Sequence, residues 1–151
     1  MKNQLILENF LPYRLSILSN TVSSTIASAF GLRFGLSIPE WRVIAILARF
    51  PGLSAAEVAE RSLMDKVAVS RAVSKLIRKG RIDRQFADAD RRRSILRLSE
   101  DGRQLHDEIA PLALQFEEDL LQGLSEEEVE SLNVIMERLL ARARLIGVPQ
   151  R

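Results

Sequence analysis

No cysteine occurs in the 151 residues, and histidine occurs once, as His106. Disulfides, thiolate zinc sites and thiol redox sensing are thereby excluded, and a single imidazole leaves too few nitrogen ligands for a typical transition-metal cage. Glycine-rich phosphate loops, metal-ligand clusters and a nucleophile beside a base are all missing, so no metal, no cofactor and no enzymatic activity are expected. There is no uninterrupted apolar run of about 18 residues. Nor is there a charged-then-apolar leader ending in small residues, so the reading is a cytoplasmic chain with neither a membrane span nor a signal peptide. Internal repeats and low-complexity stretches are absent too.

The chain does have enough apolar material, 46% of its residues, for one full core, and its length falls in the usual single-domain range of about 100–200 residues. Its net charge of +2 conceals a segregation along the sequence. Between Arg61 and Arg97 twelve basic residues face four acids, a local balance of +8, whereas residues 100–137 hold twelve acids and only Arg103. A middle that faces a polyanion and an acidic remainder follow.

Apolar periodicity predicts the elements. Leu11, Leu15, Leu18, Val22, Ile26 and Phe30 make one stripe on a first helix that ends near Gly31 to Gly35, with Pro12 early in it. Ser37-Ile38-Pro39-Glu40 has the form of a capping box, in which serine and glutamate side chains each satisfy a free backbone N–H. It opens a second helix with Trp41, Ile44, Leu47 and Ala48 inward, stopped by Pro51-Gly52. A second box, Ser54 to Glu57, opens a two-turn third helix, with Val58 and Ala59 inward and Leu63 packing at its end. Asp65 caps a fourth helix that Gly80 terminates. A brief helix, a tight turn and a longer basic helix make a helix-turn-helix.

Ile82, Phe86, Leu96 and Leu98 recur at even spacing, as in two strands with one buried face. The turn between them reads Asp88-Ala89-Asp90-Arg91-Arg92-Arg93. Ser99 caps a fifth helix through Ile109, Leu112, Phe116 and Leu120. The box Ser125 to Glu128 opens a sixth through Val129, Leu132, Ile135, Met136 and Leu139. The expected fold is mainly α with a small β-wing, in the order α-α-α-α-β-β-α-α. It comprises an N-terminal dimerisation helix (1–36), a winged helix-turn-helix (37–99) and C-terminal dimerisation helices (100–151). The first, fifth and sixth helices carry more apolar face than one small core can cover, which implies a homodimer. A twofold dimer sets two reading helices about 34–36 Å apart, one DNA turn.

At about 100° per residue, Val69, Ala72, Val73, Leu76 and Ile77 fall on one side of the fourth helix. The other side, with Val67, Ser70, Arg71 and Ser74, is read as facing the major groove of double-stranded DNA. Arg71 is the base reader, because its planar fork can donate two hydrogen bonds to guanine O6 and N7. Val67 offers methyls to a thymine methyl. Lys66, Lys75 and Arg78, with reach from Ser70 and Ser74, suit phosphates, which fix register without reading sequence. Arg91, Arg92 and Arg93 sit on a hairpin too small to bury them, and a narrow minor groove suits such arginines. Asp90 accepts from Arg92 to hold the loop closed, or Asp88 caps the turn.

These residues resemble the MarR family (multiple antibiotic resistance regulators) of bacterial winged helix-turn-helix repressors. The matching text is Leu53-Ser54 through Ala59, Val69-Ser70-Arg71 with Leu76 and Lys79-Gly80, Asp88-x-Asp90-Arg91-Arg92 with Leu96-x-Leu98-Ser99, and Gly102. The likeness covers nearly the whole chain. It implies a cytoplasmic homodimeric repressor joined through its terminal helices on an inverted-repeat operator. Arg71 would lie in the major groove and Arg92 in the minor groove, supported by Arg91 and Arg93. It further implies a small-molecule effector, commonly an aromatic or phenolic anion, bound between the dimerisation and DNA-binding parts. The sequence departs from the thiol-based peroxide sensors of the family by its lack of cysteine, and from the metal-sensing members by its lack of histidines.

Arg14 shares a helix face with Leu11, Leu15 and Leu18. It either binds a carboxylate effector, pairs with an acid across an interface or snorkels to water. Trp41 and Phe10 either line a pocket or belong to the core. Two classes of function compete: a sequence-specific DNA-binding transcriptional regulator, and a winged-helix protein–protein interaction module without DNA binding. The +8 segment favours the first.

Overall fold

Most of the helices begin at a side chain that accepts a hydrogen bond from a backbone N–H otherwise left unpaired at a helix start. The computed structural model describes residues 4–86 and 94–147. Helix α2 (Ile38–Arg49) starts at Ser37, α3 (Ala55–Ser62) at Ser54, α4 (Lys66–Arg78) at Asp65 and α6 (Glu126–Ile146) at Ser125. Helix α5 (Glu100–Leu121) starts behind Ser99, whose Oγ accepts from the Gly102 N–H at 3.1 Å. Helix α1 (Leu11–Phe34) has no such cap and carries Pro12 in its first turn instead, where a missing N–H costs nothing. Gly35, at φ 65°, closes α1, and Gly80, at φ 70°, ends the α4 segment.

Strands β1 (Ile82–Phe86) and β2 (Ser94–Leu98) pair antiparallel, with Ile82 opposite Leu98 and Arg84 opposite Leu96. Leu53, in the turn after α2, adds a single bridge to Leu96. The element order along the described residues is thus α1-α2-α3-α4-β1-β2-α5-α6, preceded by one short 3-10 turn at Leu7–Asn9.

One apolar core takes Phe30 from α1, Val43, Ile44 and Leu47 from α2, and Val58 and Ala59 from α3. Helix α4 contributes Val69, Ala72, Val73 and Leu76, the strands contribute Ile82 and Leu96, and α5 contributes Leu105 and Ile109. Buried valines and leucines of this kind each contribute about 1.5–3 kcal/mol. The base of the strand pair, where β1 starts and β2 ends, is locked to α5 by a close backbone approach. A Cβ on Gly102 would overlap the Arg81 carbonyl oxygen, and the Ser99 hydroxyl donates to the carbonyl of Gly80.

Four sequence expectations are corrected here. Ala48 is exposed, and Val43 takes the inward position, because the buried face of α2 is Glu40, Val43, Ile44 and Leu47. Leu63 is 77% exposed, because it occupies the left-handed position (φ 53°) that ends α3, which turns its side chain out of the core. Phe86 is 59% exposed: it lies on the same face as Ile82 but two residue pairs beyond Leu96, past the edge of the core. The box at Ser37 is half made. Ser37 Oγ accepts from the Glu40 N–H at 3.3 Å, but the Glu40 carboxylate turns inward, away from the Ser37 backbone.

The chain divides into two compact units, Met1–Ala113 and Leu114–Arg151. In the second unit α6 has no buried residue, and Leu132, Ile135, Met136 and Leu139 stand exposed along it. In the first unit, Leu11, Leu15 and Leu18 of α1 are likewise exposed. By length and composition alone α1 is apolar enough to cross a membrane, although its C-terminal Phe30 is built into the core.

Candidate nucleic-acid interface

Helix α4 divides by face as its periodicity dictates. Val69, Ala72, Val73 and Leu76 are buried, with Ile77 at the margin, which seats the helix against α2, α3 and β1. That seat leaves Lys66, Val67, Ser70, Arg71, Ser74, Lys75 and Arg78 exposed on the opposite side. Val67, at 54% exposure, is an apolar side chain that the fold gives no cover. Asp65 accepts from the Ala68 N–H at 3.1 Å and fixes the first turn, from which Lys66 and Val67 project. The preceding α3 carries a complete capping box, with Glu57 N–H donating to Ser54 Oγ at 3.2 Å. Both helices of the pair are therefore defined at their N-termini by short-range side-chain contacts.

The basic side chains of this face differ in their partners. Among the described residues, Arg71, Lys66 and Arg78 have no carboxylate within ion-pair distance, whereas Lys75 Nζ lies 3.1 Å from Glu40 Oε1. Glu40 is 2% exposed, and its Oε2 is buried with no hydrogen-bond partner among the described residues. Lys79, one turn on from Lys75, donates from Nζ to the Gly35 carbonyl at 3.4 Å. Sequence reasoning missed both contacts, because Glu40 reads locally as a helix-start residue. A signal was present: Glu40 falls at the i, i+3, i+4, i+7 spacing of Val43, Ile44 and Leu47, which places it on the inward face.

Arg81 Nη1 donates to the Asp101 carbonyl at 3.4 Å, and the Ser99 N–H donates to the Arg81 carbonyl at 3.0 Å, so the base of the strand pair is tied to the start of α5. The turn residues Asp88, Asp90, Arg91, Arg92 and Arg93 lie outside the described residues. Trp41 is packed edge-on to Phe30, with ring centroids 5.3 Å apart, and stacked with His106 at 6.2 Å. Arg14 stands exposed on α1. The described residues contain no group of three histidine, cysteine, aspartate or glutamate side chains placed to hold a metal.

A two-turn helix, a tight turn, a longer helix with an exposed cationic face and an antiparallel strand pair behind it define a winged helix-turn-helix protein. Residues 34–93 match the MarR family. The HTH-type transcriptional regulator BilQ of Clostridium symbiosum (strain WAL-14163) is 28% identical over 105 residues, 70% of this chain and 73% of that protein. A MarR/EmrR family transcriptional regulator from Acinetobacter sp. ADP1 is 26% identical with a TM-score of 0.86, covering 93% of this chain and 99% of the other. A MarR family regulator from Silicibacter pomeroyi DSS is 26% identical with a TM-score of 0.77, covering 89% of each chain. The likeness to MarR family regulators is thus carried in sequence by residues 34–93 and in fold by nearly the whole chain.

Proposed function

We propose that the protein is a cytoplasmic, homodimeric repressor that binds an inverted-repeat operator through α4 and the wing, and that a small aromatic or phenolic anion releases it. The observation that carries this reading is the exposed face of α4, where Val67, Ser70, Arg71 and Ser74 stand uncovered between Lys66 and Arg78. In this reading Arg71 donates two hydrogen bonds to a guanine and Val67 meets a thymine methyl, while Lys66 and Arg78 hold phosphates. Arg92 enters the minor groove, with Arg91 and Arg93 beside it and Asp88 and Asp90 shaping the turn.

The exposed apolar residues of α1 and α6 support a dimer, because a second copy covers what one chain leaves in water. The same cover accounts for the apolar length of α1 without a membrane. Arg14, exposed on α1, is the cation we assign to an anionic effector; Trp41 is already stacked on His106, so an aromatic effector there would have to take the place of that ring.

The reading is tested by titrating the chain with duplexes selected from a random pool, at two salt concentrations. Tight binding to one palindromic sequence that weakens steeply with salt is expected, since each neutralised phosphate contributes a slope of about −0.9 in log K against log salt. Failure to bind any duplex at low salt would leave the winged helix as a protein–protein module.

A further inference from the structure

We infer that Glu40 is a positioning residue for base reading that acts through Lys75, and that Lys75 itself is not a phosphate contact. The inference rests on the reading of α4 as the DNA-reading helix. A carboxylate taken out of water stays charged only where a cation pairs with it, because an isolated buried charge is costly and removing its partner is strongly destabilising. Glu40 is almost wholly buried in α2, and among the described residues its one ionic partner is the half-exposed Lys75 at 3.1 Å, its other oxygen having none. Moving the Lys75 ammonium to a phosphate would strand that carboxylate. Lys75 is therefore neutralised before DNA arrives and has no phosphate counterion to release.

The pair holds the reading helix in place. Lys75 lies in the last turn of α4 and Lys79 caps its C-terminus one turn on, and they reach Glu40 and the Gly35 carbonyl, which lie on either side of the Ser37 cap. This end of α4 is thus fastened at two points to the junction between α1 and α2. Arg71 is one turn before Lys75, so a rotation of the helix that frees Lys75 also swings Arg71 off its base. The buried valines and leucine of α4 set which face points inward, but apolar contacts are non-directional. The ion pair supplies the missing angular constraint.

The experiment is fluorescence anisotropy over a series of potassium chloride concentrations, with the duplex that the wild-type chain selects from a random pool and the same duplex carrying one substituted base pair in each half-site. E40Q, K75M, K75R and E40Q/K75M are compared with wild type. The salt slope of K75M should equal that of wild type. E40Q should be steeper by about 0.9 per half-site, because the freed ammonium now reaches a phosphate. Both should lose preference for the selected duplex by roughly tenfold, the scale of one misdirected bidentate contact, and K75R should retain it. If K75M fails to fold because its carboxylate is stranded, E40Q/K75M, with both charges gone, must show the wild-type slope with reduced preference. A K75M slope flattened by about 0.9 per half-site, or an E40Q variant with unchanged slope and preference, overturns the inference while leaving the DNA reading intact. A wild-type chain that binds no duplex removes both.

Discussion

Gly102 illustrates how far one side chain can matter in this chain. It is buried in the first turn of α5, and any Cβ there would run into the Arg81 carbonyl oxygen, which is backbone and cannot swing aside. Gly102→Ala should therefore destabilise the fold by about 1–3 kcal/mol, the usual cost of overpacking, although alanine is otherwise the better helix former. A urea melt followed by circular dichroism checks this, and an unchanged midpoint would mean that α5 can shift without cost. Glu40 makes a related point. Its neighbours in sequence cast it as half of a capping box, but it lies on the inward face of α2, where its ionic partner among the described residues is Lys75. A residue type that suits two roles is assigned by the element opposite, which one segment does not contain.

At the scale of elements, α4 was the most legible part of the chain. The 3.6-residue repeat puts Val69, Ala72, Val73 and Leu76 inward and Val67, Ser70, Arg71, Ser74 and Arg78 outward, and these stand buried and exposed as that repeat predicts, with Ile77 half-buried at the margin. The strands were less legible, since period two says which side a residue faces and not where the core stops. Phe86 is the example. Leu63 shows a second limit: a leucine after a short helix reads as a packing residue, and only the left-handed backbone there turns it outward. Two predictions belong to this scale. Arg71→Ala should cost about 1–3 kcal/mol of binding free energy and relax selection at one base position per half-site; selection from a random pool by the variant would show an unchanged consensus if the reading face is wrong. Arg92→Ala should weaken binding most on operators whose flanks have a narrow minor groove. Equal losses on all flanks, measured by anisotropy on a set of flanking sequences, would reduce the wing to a general phosphate contact.

For the molecule as a whole, the uncovered apolar surface is the feature that one chain leaves unexplained. Helix α6 has no buried residue in spite of Leu132, Ile135, Met136 and Leu139 at helical spacing, and the N-terminal half of α1 is similarly open. Ile135→Asp should leave the helical content of the chain unchanged, shift sedimentation toward the monomer, and lower operator affinity well beyond what its distance in sequence from α4 would suggest. A variant that still sediments as a dimer would place the interface elsewhere. Periodicity and capping residues by themselves determined the six helices, the strand pair and the exposed cationic face, because those signals lie within a few residues of where they act. The Glu40–Lys75 pair, the fit of Gly102 against Arg81 and the exposure of Phe86 were decided only by the tertiary structure, because each depends on what another segment places opposite or on where the shared core ends.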